Sequence, residues 1–345
     1  MGERPRSLDS APSRAARPAS GYPALVRIPS LGAAIAVAAL SLAACSGSAS
    51  APTSTPLVLG GPVGSGAGAS APSIIPILIS NSGELVPGKD RLLFSFIDAR
   101  NNPVGAPDRT AKITVYDLAR DASKPVSSAV GTFVWAIENE RGVYVATVDF
   151  PEAGTYAADF TTAVGGGPAE TIRMTFDVEA TSPVVQVGAR APASKTPTAA
   201  DVGGDLARIS TDPKPDPAFY RTSIDQALAT DEPFVVIFAT PRFCVSAQCG
   251  PTLDRIKPFP AKYPTVDFIH VEPYQLTYAN GQLQPVLTAP APSLAPALTP
   301  SDVTNAWGLL TEPWVFVVDK TGIVRGSFEV IFSDAELTSV LDSVK

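Results

Sequence analysis

Apolar and polar positions change rhythm twice along this chain. Between Leu31 and Ala44 the sequence LGAAIAVAALSLAA is an unbroken apolar run of about 14 residues, with Arg4, Arg6, Arg14, Arg17 and Arg27 ahead of it. From about Ile74 to Ala180, short runs alternate in steps of two: RLLFSFID, KITVYDL, GTFVWAIE, GVYVATVDF, GTYAADFTT and ETIRMTFDVE. Their β-branched and aromatic content predicts strands, and the turn signals between them predict an antiparallel sandwich. After about Phe219 the pattern becomes mixed. Ser223 to Thr230 reads as a short helix, PFVVIFAT as a buried strand, Pro251 to Tyr263 as a helix and VDFIHVEPY as another strand. PWVFVVD and IVRGSFEVIF then pair around Lys320-Thr321-Gly322, and Ser333 to Val344 closes the chain as an amphipathic helix.

Composition explains what lies between these segments. The 345 residues include 35 Pro and 26 Gly, much of it clustered in Ser46 to Pro72 and in Thr181 to Ala218, which therefore read as connectors. The stretch from Gln275 to Pro300 is a further Pro-rich loop, longer than a connector requires, and is expected to shape access to a site. A formal net charge of -7 without a basic patch excludes nucleic acid as a partner. The single His, His270, excludes multi-His metal cages and reads as a packed strand residue, with Glu272 on the same face. The sequence points to no cofactor and no metal ligands.

The apolar run ends in Leu42-Ala43-Ala44-Cys45, followed by SGSAS. At ~1.5 Å per residue it reaches ~21 Å, short of a ~30 Å hydrocarbon core, so it is expected to be a cleaved signal and not a permanent span. The quartet resembles the lipobox of bacterial lipoproteins. That resemblance implies lipidation at Cys45, a membrane partner through the lipid, and a location on the extracytoplasmic side of the cell membrane.

The remaining cysteines lie in FATPRFCVSAQCGPTLDRIKPF. Cys249-Gly250-Pro251 resembles the opening of the thioredoxin superfamily's active-site motif, Thr252 stands where that family has its second Cys, and WGLLTEPWVFVVDKTG resembles the segment leading into its cis-proline, here Pro313. The resemblance covers about Phe219 to Lys345. It implies a thiol–disulfide oxidoreductase acting on envelope protein thiols or disulfides, with Cys244, Cys249 and Pro313 as catalytic residues. The spacing departs from the family: Cys-x4-Cys puts the pair about 8.7 Å apart in a regular helix, too far for a disulfide. Pro251, of a type favoured at the first helical position, then places Cys249 at a helix N-terminus, where the helix dipole would favour a thiolate, and Cys244 on the loop before it, close in sequence to Arg242. Two alternatives stand beside this reading. One is a non-catalytic surface adaptor with a structural disulfide; the other follows from TPRFCVSAQCG, which also resembles the Q-type peroxiredoxins, with Cys244 peroxidatic. Asp254 and Glu312 are candidate modulators of proton transfer.

The expected organisation is a signal peptide over 1–44, a tether over 45–72, a β-sandwich over 73–180 that resembles immunoglobulin-like modules, a linker over 181–218 and an α/β thioredoxin-like domain over 219–345.

Overall fold

The computed structural model describes residues 72–80, 84–289 and 296–345. The apolar export run and Cys45 lie outside the described residues, which all belong to one compact unit, Leu57–Lys345.

Two antiparallel sheets form the N-terminal half. One has the order β1 (Ile74–Leu78), β2 (Gly88–Asp98), β6 (Arg141–Phe150), β5 (Thr132–Ile137); the other has β4 (Pro125–Val130), β3 (Arg109–Asp117), β7 (Gly154–Val164), β8 (Glu170–Val178). Their facing sides share one core. Leu92, Phe94 and Phe96 of β2 and Tyr144, Ala146 and Val148 of β6 meet Ile113 and Val115 of β3 and Tyr156, Ala158 and Phe160 of β7. The period-two alternation read from the sequence is this inward set, and the expected sandwich is present.

One departure from alternation has a physical cause. The middle of β2, Leu92 to Phe96, and the first half of β6, Gly142 to Ala146, are buried at every position. The outer face of this sheet is covered as well: Leu93, Val134, Ala136, Val143 and Val145 cluster with Ile331 from the C-terminal part. A strand enclosed on both faces has no polar side to show.

The C-terminal half is built on a four-stranded sheet of order β10 (Asp267–Val271), β9 (Phe234–Phe238), β13 (Trp314–Val318), β14 (Val324–Glu329). β9 and β10 are parallel, and β13 runs antiparallel to both β9 and β14. All five residues of β9 are buried. Val235 and Ile237 face a cluster containing Leu253, Ile256, Leu337 and Leu341, while Phe234, Val236 and Phe238 face Ile224, Trp307 and Phe316.

Among the described residues α-helices are few and short: α1 (Ile224–Ala227), α3 (Phe259–Lys262) and α4 (Asp302–Ala306) have four or five residues, and only α2 (Cys249–Ile256) and α5 (Asp334–Val344) are longer. The single helix expected over Pro251 to Tyr263 is interrupted between α2 and α3, where Pro258 lacks the N–H that a continuing helix needs. The Pro-rich stretch after residue 181 does not hang free: Gly188 N–H donates to the Val324 carbonyl at 2.8 Å, Ala191 N–H to Gly322 at 2.9 Å, and Val184 is buried. Within the expected loop from Gln275, strands β11 (Leu276–Ala279) and β12 (Gln282–Pro285) form a hairpin. Its turn is Asn280-Gly281, both at positive φ (53° and 80°), the signature of a two-residue type I′ turn.

The two halves are joined by named contacts. Arg91 Nε meets Glu336 Oε1 at 2.7 Å, and its Nη2 donates to the Ile331 carbonyl at 2.8 Å. Its guanidinium also lies over the Phe328 ring, 5.5 Å from the centroid.

Candidate functional site

The site forms where β9 ends. Beyond its last residue the chain turns at Thr240, whose carbonyl accepts the N–H groups of Phe243 (3.2 Å) and Cys244 (3.0 Å). This holds Cys244 on the loop before α2, and Cys249 becomes the first residue of that helix. Pro251 falls in the first turn, where a missing N–H removes no helical bond. Ala247, at φ 59°, supplies the sharp bend in between.

Both thiols are free. Cys244 Sγ accepts the Cys249 N–H at 3.3 Å and lies 3.3 Å from Ser246 Oγ. Donation from the Cys249 thiol, against the opposing effect of partial burial, and further donation from Ser246 and from the N–H groups of Cys249 and Gln248 bring Cys244 down to about 5. Cys249 moves the other way: burial in an apolar core holds its thiol protonated, reinforced by the adjacent Cys244. The helix N-terminus therefore favours the thiolate of Cys244, which its N–H groups face, and not that of Cys249, as the sequence had suggested. Arg242 is engaged elsewhere. Its Nη2 donates to Gln282 Oε1 of the β11–β12 hairpin at 2.6 Å.

Glu312 completes the group. One potential ligand atom each from Cys244, Cys249 and Glu312 lies within 4.8 Å of the others. Tyr274 OH donates to Glu312 Oε2 at 2.7 Å. Burial raises the Glu312 carboxyl and the neighbouring Cys244 adds to the rise, while the Tyr274 and Val245 donors oppose it. The Glu312-Pro313 bond is cis.

The other sequence candidates fall elsewhere. His270 is buried and bonded at both ring nitrogens, Nδ1 to Tyr220 OH at 2.6 Å and Nε2 to the Ala239 carbonyl at 2.8 Å. The carbonyl can only accept, so Nε2 carries a proton and donates it there. Glu272 does not orient this imidazole; its Oε1 accepts the Thr211 N–H at 2.6 Å. Asp254 pairs with Lys257 at 2.7 Å on the surface side of α2.

Residues missed from the sequence hold the loop from the other half of the chain. Gln248, 3% exposed, donates from Nε2 to the Ala136 carbonyl at 2.7 Å. Arg255 Nη2 donates to the Trp135 carbonyl at 2.9 Å, and Arg141 Nη1 to the Ser246 carbonyl at 3.2 Å. Separations of 105 to 120 residues leave no local signal for these contacts.

No family model matches the chain and no curated protein matches it. Among solved structures it is similar to a DUF4426 family protein from Pseudomonas aeruginosa PAO1, at 14% identity over 32% of this chain and 91% of that one, with a TM-score of 0.23. It is also similar to CopC from Methylosinus trichosporium OB3b, at 18% identity over 30% and 94% with a TM-score of 0.19. The PmoD soluble domain from Methylocystis sp. ATCC 49242 (Rockwell) matches at 15% over 31% and 90%, with a TM-score of 0.17. None of these three is a thioredoxin-like protein. The described residues are mostly β-sheet with few, short helices, and membership of the thioredoxin-like superfamily, the α/β thioredoxin-like domain, the thiol–disulfide oxidoreductase activity drawn from them and the peroxiredoxin-like alternative are corrected. The motif misled because Cys-Gly-Pro and a cis-proline segment are short, while the x4 spacing, Thr252 and the carboxylate at Glu312 are what distinguish this site.

Proposed function

We propose that this chain is a non-catalytic envelope module that holds a thiophilic divalent cation between Cys244, Cys249 and Glu312. The carrying observation is the convergence of two sulfurs and a carboxylate oxygen within 4.8 Å. Around a tetrahedral ion with metal–sulfur bonds of ~2.3 Å, ligand atoms lie ~3.7 Å apart, so the three side chains need only close slightly. Sulfur donors favour zinc-like ions over magnesium or calcium. Charge selects further: two thiolates and a carboxylate carry three negative charges, which a divalent ion offsets better than a monovalent one in a half-buried place. Three protein donors leave a position open to water or to a partner's ligand.

Cys244 is already the more acidic thiol, and Cys249 gives up its proton on loading, so binding releases protons and weakens as pH falls. Tyr274 donates to one oxygen of Glu312 and so orients the carboxylate beside the sulfurs. The module would sit on the extracytoplasmic side of the membrane through a lipid on Cys45, a location supported by the sequence of the export run alone.

The test is a cobalt(II) titration of the reduced protein, followed by thiolate-to-metal charge-transfer absorption and then zinc competition. One ion per chain is expected, with the absorption lost in Cys249→Ser and affinity reduced about 10-fold or more in Glu312→Gln. Absence of sulfur-to-cobalt absorption at millimolar cobalt would overturn the reading.

A further inference from the structure

The grip of the sandwich on the two-cysteine loop has a specific origin. β5 is the edge strand of its sheet, and its pairing with β6 slips between Trp135 and Ile137, so that Ala136 is an extra residue opposite Arg141 and Gly142. A bulge of this kind re-aims backbone groups that a regular strand would alternate between ladder and solvent. The consecutive carbonyls of Trp135 and Ala136 both leave the sheet and accept from α2 and its cap, from Arg255 and Gln248 respectively. Across the hairpin, Arg141 at the start of β6 takes the Ser246 carbonyl. Donors and acceptors from one hairpin thus fix both ends of the segment Ser246 to Gln248, whose backbone is strained at Ala247. That segment carries the Ser246 hydroxyl and leads into the Cys249 N–H, the two groups that meet Cys244 Sγ.

We infer that the bulged β5–β6 hairpin is a positioning device for the cysteine loop, with Gln248 and Arg141 as positioning residues that set the sulfur–sulfur geometry from the sandwich. The inference rests on the metal-binding reading for its purpose, but its physical content stands without any ion. The sandwich is on this account a working part of the site and not a spacer. A change in the hairpin is transmitted to the sulfurs through two side chains, neither of which is a ligand.

The test uses the full chain with Arg141→Ala, Arg141→Lys and Gln248→Ala, read in two ways. Hydrogen exchange of a peptide spanning residues 242–250, without metal, is expected to accelerate about 10-fold or more in both alanine variants and to stay near wild type in Arg141→Lys, which keeps a donor. A peptide from β7 serves as the folding control and is expected to stay unchanged. Cobalt affinity is expected to fall in parallel, with a change in band shape. Unchanged loop exchange in both alanine variants would overturn the inference, as would acceleration that extends equally to β7. If the wild type binds no cobalt, the proposed function fails while the exchange experiment still decides this point.

Discussion

Arg91 offers the sharpest test of how the two halves are joined. Its side chain is 16% exposed and that of Glu336 27%, so their ion pair lies between the surface regime, worth ~0 to 1 kcal/mol, and the buried regime, where removing one partner costs ~3 to 5 kcal/mol. We take about 2 kcal/mol for the pair, because Glu336 keeps its capping bonds from the Ser333 N–H and hydroxyl and is not stranded. Loss of the donor to the Ile331 carbonyl, at 2.8 Å, adds about 1 kcal/mol. Arg91→Ala should therefore destabilise the protein by about 3 kcal/mol in urea unfolding, or about 5 °C in Tm for a unit of this size. Arg91→Lys keeps charge without the two-pronged geometry and should recover about a third of that loss. The effect has a defined pH window. Burial alone would raise the Glu336 carboxyl, but the Arg91 guanidinium and the Ser333 donors bring it below its ordinary 4.5. A depressed folded pKa contributes stability that is complete above the unfolded value and fades as pH falls through the folded one. The difference between wild type and Arg91→Ala should accordingly shrink as pH falls below about 4.5, leaving the roughly 1 kcal/mol of the Ile331 carbonyl bond. A difference under about 0.5 kcal/mol at pH 7, or one that grows towards pH 3, would refute the reasoning.

Two further outcomes are expected. Gly308 sits at φ 66° with the Pro183 carbonyl directly where a Cβ would be; Gly308→Ala should cost about 3 kcal/mol or more by thermal melt, and a near-neutral effect would show that the stretch after residue 181 does not pack there. Cys45→Ser should move the protein from the membrane fraction to the soluble extract, and unchanged fractionation would remove the lipid from the proposal.

The sequence made some of this legible and hid the rest for identifiable reasons. Local patterns were readable: the alternation of KITVYDL is β3, and Ser333 with Glu336 caps α5 as a reciprocal box. The hairpin at Asn280-Gly281 was equally readable, but the Pro-rich character of its surroundings masked it as loop. Placing Cys244 before α2 and Cys249 at its start followed from the x4 spacing together with Pro251 as a helix-start signal. The assignment of the acidic thiol did not, because a helix N-terminus stabilises whatever anion its N–H groups face, and only the coordinates show that this is Cys244. Glu312 was visible as a carboxylate beside Pro313, yet its meeting with two sulfurs needs the strand order. The doubly buried face of β2 and β6 was the least accessible feature, since Ile331 lies nearly 240 residues from Leu93 in the chain.

The bulge in β5 also bears on how this protein avoids sticking to itself. An edge strand is a template on which another chain can add, and a flat run such as Thr132–Ile137, with Phe, Val, Trp and Ile, would be an inviting one. Here two successive carbonyls of that edge are occupied by Gln248 and Arg255, and the irregular register denies a newcomer a straight row of partners. The contact that orders the cysteine loop is thus also a guard, and damage to one function would be felt in the other: a chain whose loop has come loose regains an open, aromatic edge.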